Sequence, residues 1–449
     1  MKKRICLSGA CIIGVLLLAT SIPAAEFQPI GFNALSMGGA GVASSIGSFA
    51  PYYNPALLAD HKNTVEISIS GGVGIREINL VDTLDTLSDI DVEDTIDRVK
   101  NTTPSIEGGN VKGNIDPAVR ENIKTIKSEL INLSDQNGLQ ICPATSVGIQ
   151  VLSFGFGFFG ISEGTAHGVI DKTRLDIIVE KTIGGAPPEF STAYVKYDVD
   201  TDLFTPATLA QYQQSSLQYA MDEGYTYVQL TGLSYAEIPI SYGYRFDTSM
   251  GTFNVGGSLK IMPAYTYDKE VKIDTASGDI QSELNDAKET DTSFGIDLGF
   301  LYRPTSLQSL AVGLVMKNIN TPKFDTTTNR ELEVKPQVRA GVAYDLSSSL
   351  TLALDMDLTK NATFLPDYDS QFIGGGVNYH PFNWLSVRGG LMQNIQESND
   401  GTVLTGGFGF GIKWLQVDLA GQYSLKQGEF DGNTIPRYGR VQMSLVSKW

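Results

Sequence analysis

The chain has 449 residues, 42% of them hydrophobic, with 47 glycines and a formal charge of −17. That length admits one large barrel or two ordinary domains. The acidic balance, with no basic stripe to neutralise phosphates, leaves nucleic acid out as a partner.

The N-terminus reads as an export signal. Met1-Lys-Lys-Arg4 is basic, an apolar run follows from Ile5 to about Leu18, and small residues lead to Ala24-Ala25. This is the pattern of a cleaved signal peptide over residues 1–25. The run is short of the ~20 residues that a spanning helix needs, and Cys11 sits too early in it for a lipid-attachment site. After cleavage Cys142 is the one cysteine left, so the mature chain carries no internal disulfide. No later stretch of 18 apolar residues predicts a transmembrane helix.

Residues 26–60 are rich in small residues. Gly31-Phe-Asn-Ala-Leu-Ser-Met-Gly-Gly-Ala-Gly-Val-Ala43 places Gly38, Gly39 and Gly41 close together, where they permit tight backbone packing. In Ala50-Pro-Tyr-Tyr-Asn-Pro-Ala-Leu-Leu-Ala59, Asn54 suits the cap of a short helix with Pro55 first and Ala56 next.

A strand is predicted over Thr64 to Ile78, then a helical insertion over residues 79–143. In the insertion Leu80, Leu84, Leu87, Ile96 and Val99 share one helical side. A second helix opens at Asp116-Pro117 with the stripe Val119, Ile123, Ile126, Leu130 and Leu133. Strands resume at Thr145. A long loop at about 184–224 carries a helix opening at Thr205-Pro206.

From Tyr225 onward apolar and polar residues alternate, the period of strands with one greasy and one wet side. Ile238, Ile240, Tyr242, Tyr244 and Phe246 oppose Pro239, Ser241, Gly243 and Arg245; Leu352, Leu354 and Met356 oppose Ala353, Asp355 and Asp357. Val417 and Leu419 oppose Asp418. The final strand sets Val441, Met443, Leu445 and Trp449 against Gln442, Ser444 and Lys448, and its terminal aromatic suits a barrel-closing strand at a membrane interface. Asp355, Asp357 and Asp418 would not point into a sandwich core. In a soluble sheet they would face bulk water, which any single strand permits. Repetition over many long strands favours an antiparallel β-barrel with lipid outside and these carboxylates on a polar lumen. The barrel extends over residues 61–449.

Several formal motifs carry no chemistry. Gly155, Gly157 and Gly160 spell a dinucleotide fingerprint, but phenylalanines alternate with them and no helix follows. Asp89-Ile-Asp91-Val-Glu93 begins like a calcium loop, yet Asp94 replaces the required glycine and Lys100 the closing acid. His61, His167 and His380 have no ligand spacing. Asp355 and Asp357 lie about 7 Å apart by strand rise, with no nucleophile motif beside them, and read as hydrated wall of the lumen. No catalytic residue, metal site or cofactor is predicted.

The Gly-rich run followed by Asn54-Pro55-Ala56 resembles the N-terminal hatch of the FadL-like outer-membrane transporters. The block from Ile238 to Ile261 is similar to the same superfamily. Leu314-Val-Met-Lys-Asn-Ile319, Lys335-Pro-Gln-Val-Arg-Ala-Gly-Val-Ala-Tyr344 and Leu354-Asp-Met-Asp-Leu-Thr-Lys-Asn361 look like the branch named after conjugal-transfer TraF, distinct from the thioredoxin-like protein of that name. The resemblance covers most of the mature chain. It implies a barrel of about 14 strands in the outer membrane, residues 26–60 as a lumenal hatch, and passive passage of hydrophobic or amphipathic small molecules. In that hatch Asn54, Pro55 and Ala56 would hold the plug. No ligand residues for long-chain fatty acids can be carried over, since the loops hold no matching basic-aromatic motif. The alternative is an interaction protein whose helical insertion meets transfer-apparatus proteins or another surface assembly.

Overall fold

The computed structural model describes residues 26–60, 63–133, 135–184, 190–273, 288–326, 331–412, 414–430 and 433–449. The expected signal peptide, residues 1–25, lies outside the described residues.

Fourteen antiparallel strands close into one barrel. In chain order they are β1 (Val65–Ile78), β2 (Gly138–Val151), β3 (Phe154–Val169), β4 (Tyr227–Asp247), β5 (Gly251–Val271), β6 (Lys288–Pro304), β7 (Leu310–Lys317), β8 (Gln337–Ser347), β9 (Leu350–Asp357), β10 (Phe372–Phe382), β11 (Leu385–Asn394), β12 (Thr402–Ile412), β13 (Leu415–Ser424) and β14 (Tyr438–Lys448). Each pairs with its chain neighbours. β14 returns to β1 in the register Glu66↔Lys448, Ile69↔Leu445 and Val73↔Val441. Closure pairs every strand edge, the condition for β-structure to stand in hydrocarbon.

The alternation sorts side chains as the period requires. Val441, Met443, Leu445, Leu352 and Leu354 are exposed on the outside, while Asp355, Asp357, Asp418, Gln442 and Ser444 are buried inside. Trp449 stands just past β14, where Thr64 N–H donates to its carbonyl at 2.9 Å and its own N–H donates to Val65 O at 2.9 Å. Trp384 and Trp414, in the β10–β11 and β12–β13 turns, are exposed at the same end as Trp449. Phe382 and Phe410 flank Trp384, with ring centroids 5.4 and 6.2 Å away. An apolar outer band edged by aromatics is the face a transmembrane β-barrel shows to lipid.

The two ends differ. At the Trp449 end the strands are joined by turns of two to five residues, whereas the other end carries all the long connections. Two of these, 79–137 and 170–226, fold together into a separate α/β unit. Its five-stranded sheet has the order Ser105–Glu107, Asn110–Lys112, Leu203–Ala207, Phe190–Asp198, Ile177–Gly184. Helices Val81–Ile90, Val92–Asn101 and Pro117–Asn132 pack on it through Leu87, Ile96, Val99, Ile123, Ile126 and Leu130. Val228 and Leu230 of β4 and Val271 of β5 run into the same core, so the unit is built on strand tops.

Several sequence expectations are corrected here. The helix read across Leu80–Lys100 is two helices, broken at Asp91, whose backbone is left-handed (φ 57°) and whose side chain accepts from Asp94 N–H at 3.0 Å. Strands resume at Gly138 instead of Thr145. Leu139, Ile141 and Pro143 face outward there, and a proline inside the run disguises it as a loop. Among its described residues the 184–224 segment holds two strands, Phe190–Asp198 and Leu203–Ala207, and two short helices, Leu209–Ser215 and Leu217–Asp222. Its first helix opens at Leu209, where Thr208 and Gln211 form a reciprocal capping box. Thr205 and Pro206 sit in the preceding strand.

Leu354→Arg places a charge on the lipid face and is expected to cost ~2–4 kcal/mol near the midplane, measured by denaturant titration of barrel refolded into lipid vesicles. Ile106→Arg, on the exposed α/β unit, should change stability by less than about 0.5 kcal/mol. Equal losses at the two sites would contradict a lipid-facing wall.

Candidate functional site

Residues 26–60 lie inside the barrel and are almost wholly buried. They form two short helices, Phe32–Ser36 and Ala50–Tyr53, and a 3-10 turn, Pro55–Asp60. This plug is irregular for a compositional reason: Gly31, Gly38, Gly39 and Gly47 adopt positive φ, which glycine tolerates without penalty.

The wall makes room for it with glycines of its own. A Cβ added at Gly376 would lie 2.7 Å from Met37 Cα, and one at Gly243 would lie 2.7 Å from Ala59 N. At Gly256, Gly299 and Gly374 the added atom would overlap Ala56, Asn54 and Gly38 respectively. Gly148, Gly155, Gly313 and Gly407 would likewise meet Ser48, Pro51, Val42 and Ser36, so plug contacts come from strands spread around the circumference.

Polar contacts then fix the register. Asp355 Oδ2 accepts from Gly41 N–H at 2.8 Å and from Val42 N–H at 2.9 Å. Glu66 Oε1 accepts from the Ser48 N–H and hydroxyl, both at 3.0 Å. Thr405 Oγ1 accepts from Gly38 N–H at 2.9 Å and donates to Ser36 O at 3.0 Å. Asn54 donates to Val42 O at 2.9 Å and to Phe300 O at 3.1 Å, while its Oδ1 accepts from Ala56 N–H at 3.0 Å. One side chain thus ties two parts of the plug to β6 and caps the Pro55 turn.

Five lumen cations are each bonded to a carboxylate, and three of them rest on plug aromatics. Arg339 bonds Asp357 at 2.6 Å and lies 4.1 Å from the centroid of Phe27. Lys317 bonds Glu237 at 3.0 Å and sits 3.6 Å above Tyr52. Arg388 bonds Asp418 at 2.9 Å and lies 4.5 Å from Phe32. Lys260 joins Glu237 and Asp297, each at 2.9 Å. Nearer the long-loop end Arg76 bonds Glu26 at 3.0 Å and Asp400 at 2.8 Å. Desolvated cations gain more from a ring face than exposed ones do.

Gly39, Gly41, Asn54, Asp355 and Asp357 therefore come together, since Arg339 of the Asp357 pair also reaches Gly39 O at 3.5 Å. Asp418 stands apart under Phe32. Val441, Met443, Leu445 and Trp449 lie on the outer surface and take no part. The carboxylates are not a hydrated wall, as sequence alone suggested for Asp355 and Asp357; each is bonded to plug backbone or to a cation. Sequence reading passed over Glu26, Phe27, Arg76, Glu237 and Arg339. The one available signal was the charged residues at inward positions of otherwise apolar strands.

Above the plug, two loops fill the lumen from the other side. Phe324, Leu332 and Val334 from one, and Phe364 from the other, join a core with Phe27 and Tyr52. Two hollows flank this double seal. A cavity of about 240 Å³ at the short-turn side is lined by Phe32, Met37, Phe49, Glu66 and Arg388. A cleft of about 510 Å³ at the long-loop side is lined by His167, Tyr227, Leu332, Phe364, Leu365 and Tyr368. Its lining is amphipathic, with Gln229, Thr231, Thr363, Asp367 and Asp369 set beside the apolar Leu332, Phe364 and Leu365. The Nδ1 of His167 has no hydrogen-bond partner among the described residues.

A family model described as "F plasmid transfer operon, TraF, protein" matches residues 51–357. No curated protein matches the chain. Among solved structures it is similar to the toluene transporter TbuX of Ralstonia pickettii, at 15% identity over 94% of this chain and 99% of that one, with a TM-score of 0.49. It is also similar to a Pseudomonas aeruginosa FadL homologue, at 9% identity over 95% and 100% of the two chains and a TM-score of 0.46. The P. putida toluene transporter TodX gives 13%, 94%, 99% and 0.44.

Asp355→Ala deletes the acceptor of two buried N–H groups. At ~1.5–3 kcal/mol for a hydrogen bond to a charged group, the plug should loosen while the barrel stays closed. The expected outcome is faster proteolysis within residues 26–60 by a small protease, with heat-modifiable gel mobility retained. Unchanged protection would mean that the plug is held without this carboxylate.

Proposed function

The chain belongs to the TraF protein family named for the F plasmid transfer operon, and we propose that it is an outer-membrane channel, gated by its own plug, for passive passage of hydrophobic or amphipathic small molecules. The observation that carries this reading is the plug itself. It is a separate, irregular segment wedged in a closed barrel by hydrogen bonds and ring contacts that can be released without unfolding any strand. A structural filler would need no hollow on either side of it. The amphipathic cleft at His167 and Phe364 would receive the substrate, and the cavity beneath Phe32 and Met37 would pass it on.

An apolar band around a closed barrel, together with the export signal read at residues 1–25, supports the outer membrane as the location. Short turns face the periplasm and long loops the exterior in such barrels, which puts the α/β unit outside the cell. That unit supports a second reading, in which the protein also serves a surface assembly such as the transfer apparatus. A pore does not require a domain with its own sheet and core.

Deleting residues 27–58 tests the channel. The strands begin after Thr64 and close on Trp449, so the barrel should still fold. Removing Phe27 and Tyr52 also strips the overlying loops of their packing partners. Conductance in planar bilayers is expected to rise well above that of the intact protein. Vesicles carrying the deleted form should take up a small aromatic hydrocarbon faster than vesicles carrying the intact protein. No rise in conductance would assign the seal to the loops alone, and a large conductance in the intact protein would make it a general porin.

A further inference from the structure

The α/β unit carries a feature that neither its core nor the pore uses. Tyr194, Tyr212, Tyr219 and Tyr225 form a continuous row on its surface. Successive centroids are 4.7, 5.4 and 6.1 Å apart. Tyr225 is exposed and the other three are half-buried. At the end of the row the Arg174 guanidinium lies 4.4 Å from the Tyr225 centroid.

The row is built on a helix with no inward face. Leu209–Ser215 buries none of its residues, and Leu209 is exposed. A helix this short needs outside support. Here the support is its capping box, the Arg174 bond to Gln213 O at 2.8 Å, and the Tyr212 ring between Tyr194 and Tyr219. A solvated element of this kind is held in place by aromatic contacts along the row itself.

The surroundings are acidic. Exposed Glu180, Asp222 and Glu223 lie close enough to act on Tyr212. Burial, then Asp222, Tyr194, Glu180 and Glu223, pushes its phenol up to about 12, so the hydroxyl stays neutral and can accept hydrogen bonds. Residues 79–137 and 170–226 together hold 21 Asp and Glu against 10 Lys and Arg, most of the acidic excess of the whole chain. Tyrosine is enriched where proteins meet, because it offers rigid area with a polar tip.

We propose that this tyrosine row is a docking face for a cationic polypeptide segment of a partner protein. Charge complementarity selects the occupant. Phenol oxygens beside carboxylates present acceptors to the five donors of an arginine. A polysaccharide would require open ring faces. The two stacked pairs, at interplanar angles of 27° and 29°, turn faces toward each other and leave edges outward. The inference rests on the reading that the long-loop end is outside the cell.

The test uses the full-length protein in detergent micelles, with fluorescent nona-arginine as probe and nona-glutamate as control. Nona-arginine should bind and nona-glutamate should not. The pair Tyr212→Ala, Tyr225→Ala keeps every charge and should weaken binding about tenfold, at roughly threefold for each phenol. Tyr212→Phe removes one acceptor oxygen and should lower affinity about threefold, and Asp222→Asn with Glu223→Gln should lower it and flatten its salt dependence. Alanine variants that bind within twofold of the parent would overturn the proposal. So would tighter binding of a neutral glucan than of nona-arginine. The channel reading fails separately: the alanine pair should leave bilayer conductance unchanged. The outward placement is read by labelling Ile106→Cys on intact cells with a membrane-impermeant maleimide, and absence of label there would remove the exterior partner.

Discussion

An irregular segment sealed inside a barrel must find a partner for each buried N–H and C=O, and this requirement shapes the rest of the lumen. Helix and sheet satisfy their own backbone; the stretch from Phe27 to Asp60 does so only in short turns. The shortfall is met by side chains from the wall. Asp355 and Glu66 each take two donors, Thr405 takes one and returns one, and Gln422 and Gln442 serve Leu35 O and Gly31 N–H. An unsatisfied buried polar group costs ~1–3 kcal/mol, so each wall residue matters more for what its loss would strand than for the bond it adds.

The same requirement explains the charges. Carboxylates in the lumen bring negative charge out of water; plug N–H groups offset it at Asp355 and Glu66, and cations must do so at the others. The lumen answers with Arg339, Lys317, Lys260, Arg388 and Arg76, each bonded to a carboxylate. Three of them then turn a face to Phe27, Tyr52 or Phe32. The plug is held by the wall's ion pairs through its rings and by the wall's acceptors through its backbone. Neither set needs a covalent or metal tie, so the plug can leave while the strands remain paired.

The barrel was legible in the sequence because its signal is local. A period of two can be counted within ten residues, and strands such as Leu352–Asp357 or Val441–Leu445 repeat it cleanly. The plug was legible only as composition and resemblance, a glycine run followed by Asn54-Pro55-Ala56. Its partners were not, because pairs such as Gly41 with Asp355 are separated by 314 positions and nothing in either neighbourhood points to the other. The α/β unit was half seen. Its helix at Pro117–Asn132 announces itself by stripe and cap, whereas the break at Asp91 before Val92–Asn101 does not. Its sheet is assembled from short strands in two insertions, and a three-residue strand such as Asn110–Lys112 has no periodicity to read.

Where that unit is rooted constrains what can move in the proposed channel. Its two insertions leave and re-enter at β1, β2, β3 and β4, which are adjacent in the wall, and its core continues into β4 and β5. A body joined to strand tops by shared core residues moves only with those strands. It is therefore a platform and not a lid. The elements that seal the lumen from above come from elsewhere: Phe324, Leu332 and Val334 follow β7, and Phe364 follows β9. They rest on the plug through apolar contacts. Release of the plug thus removes the support of the upper seal as well. On the channel reading proposed above, opening would be coupled through Phe27 and Tyr52, while the platform stays in place.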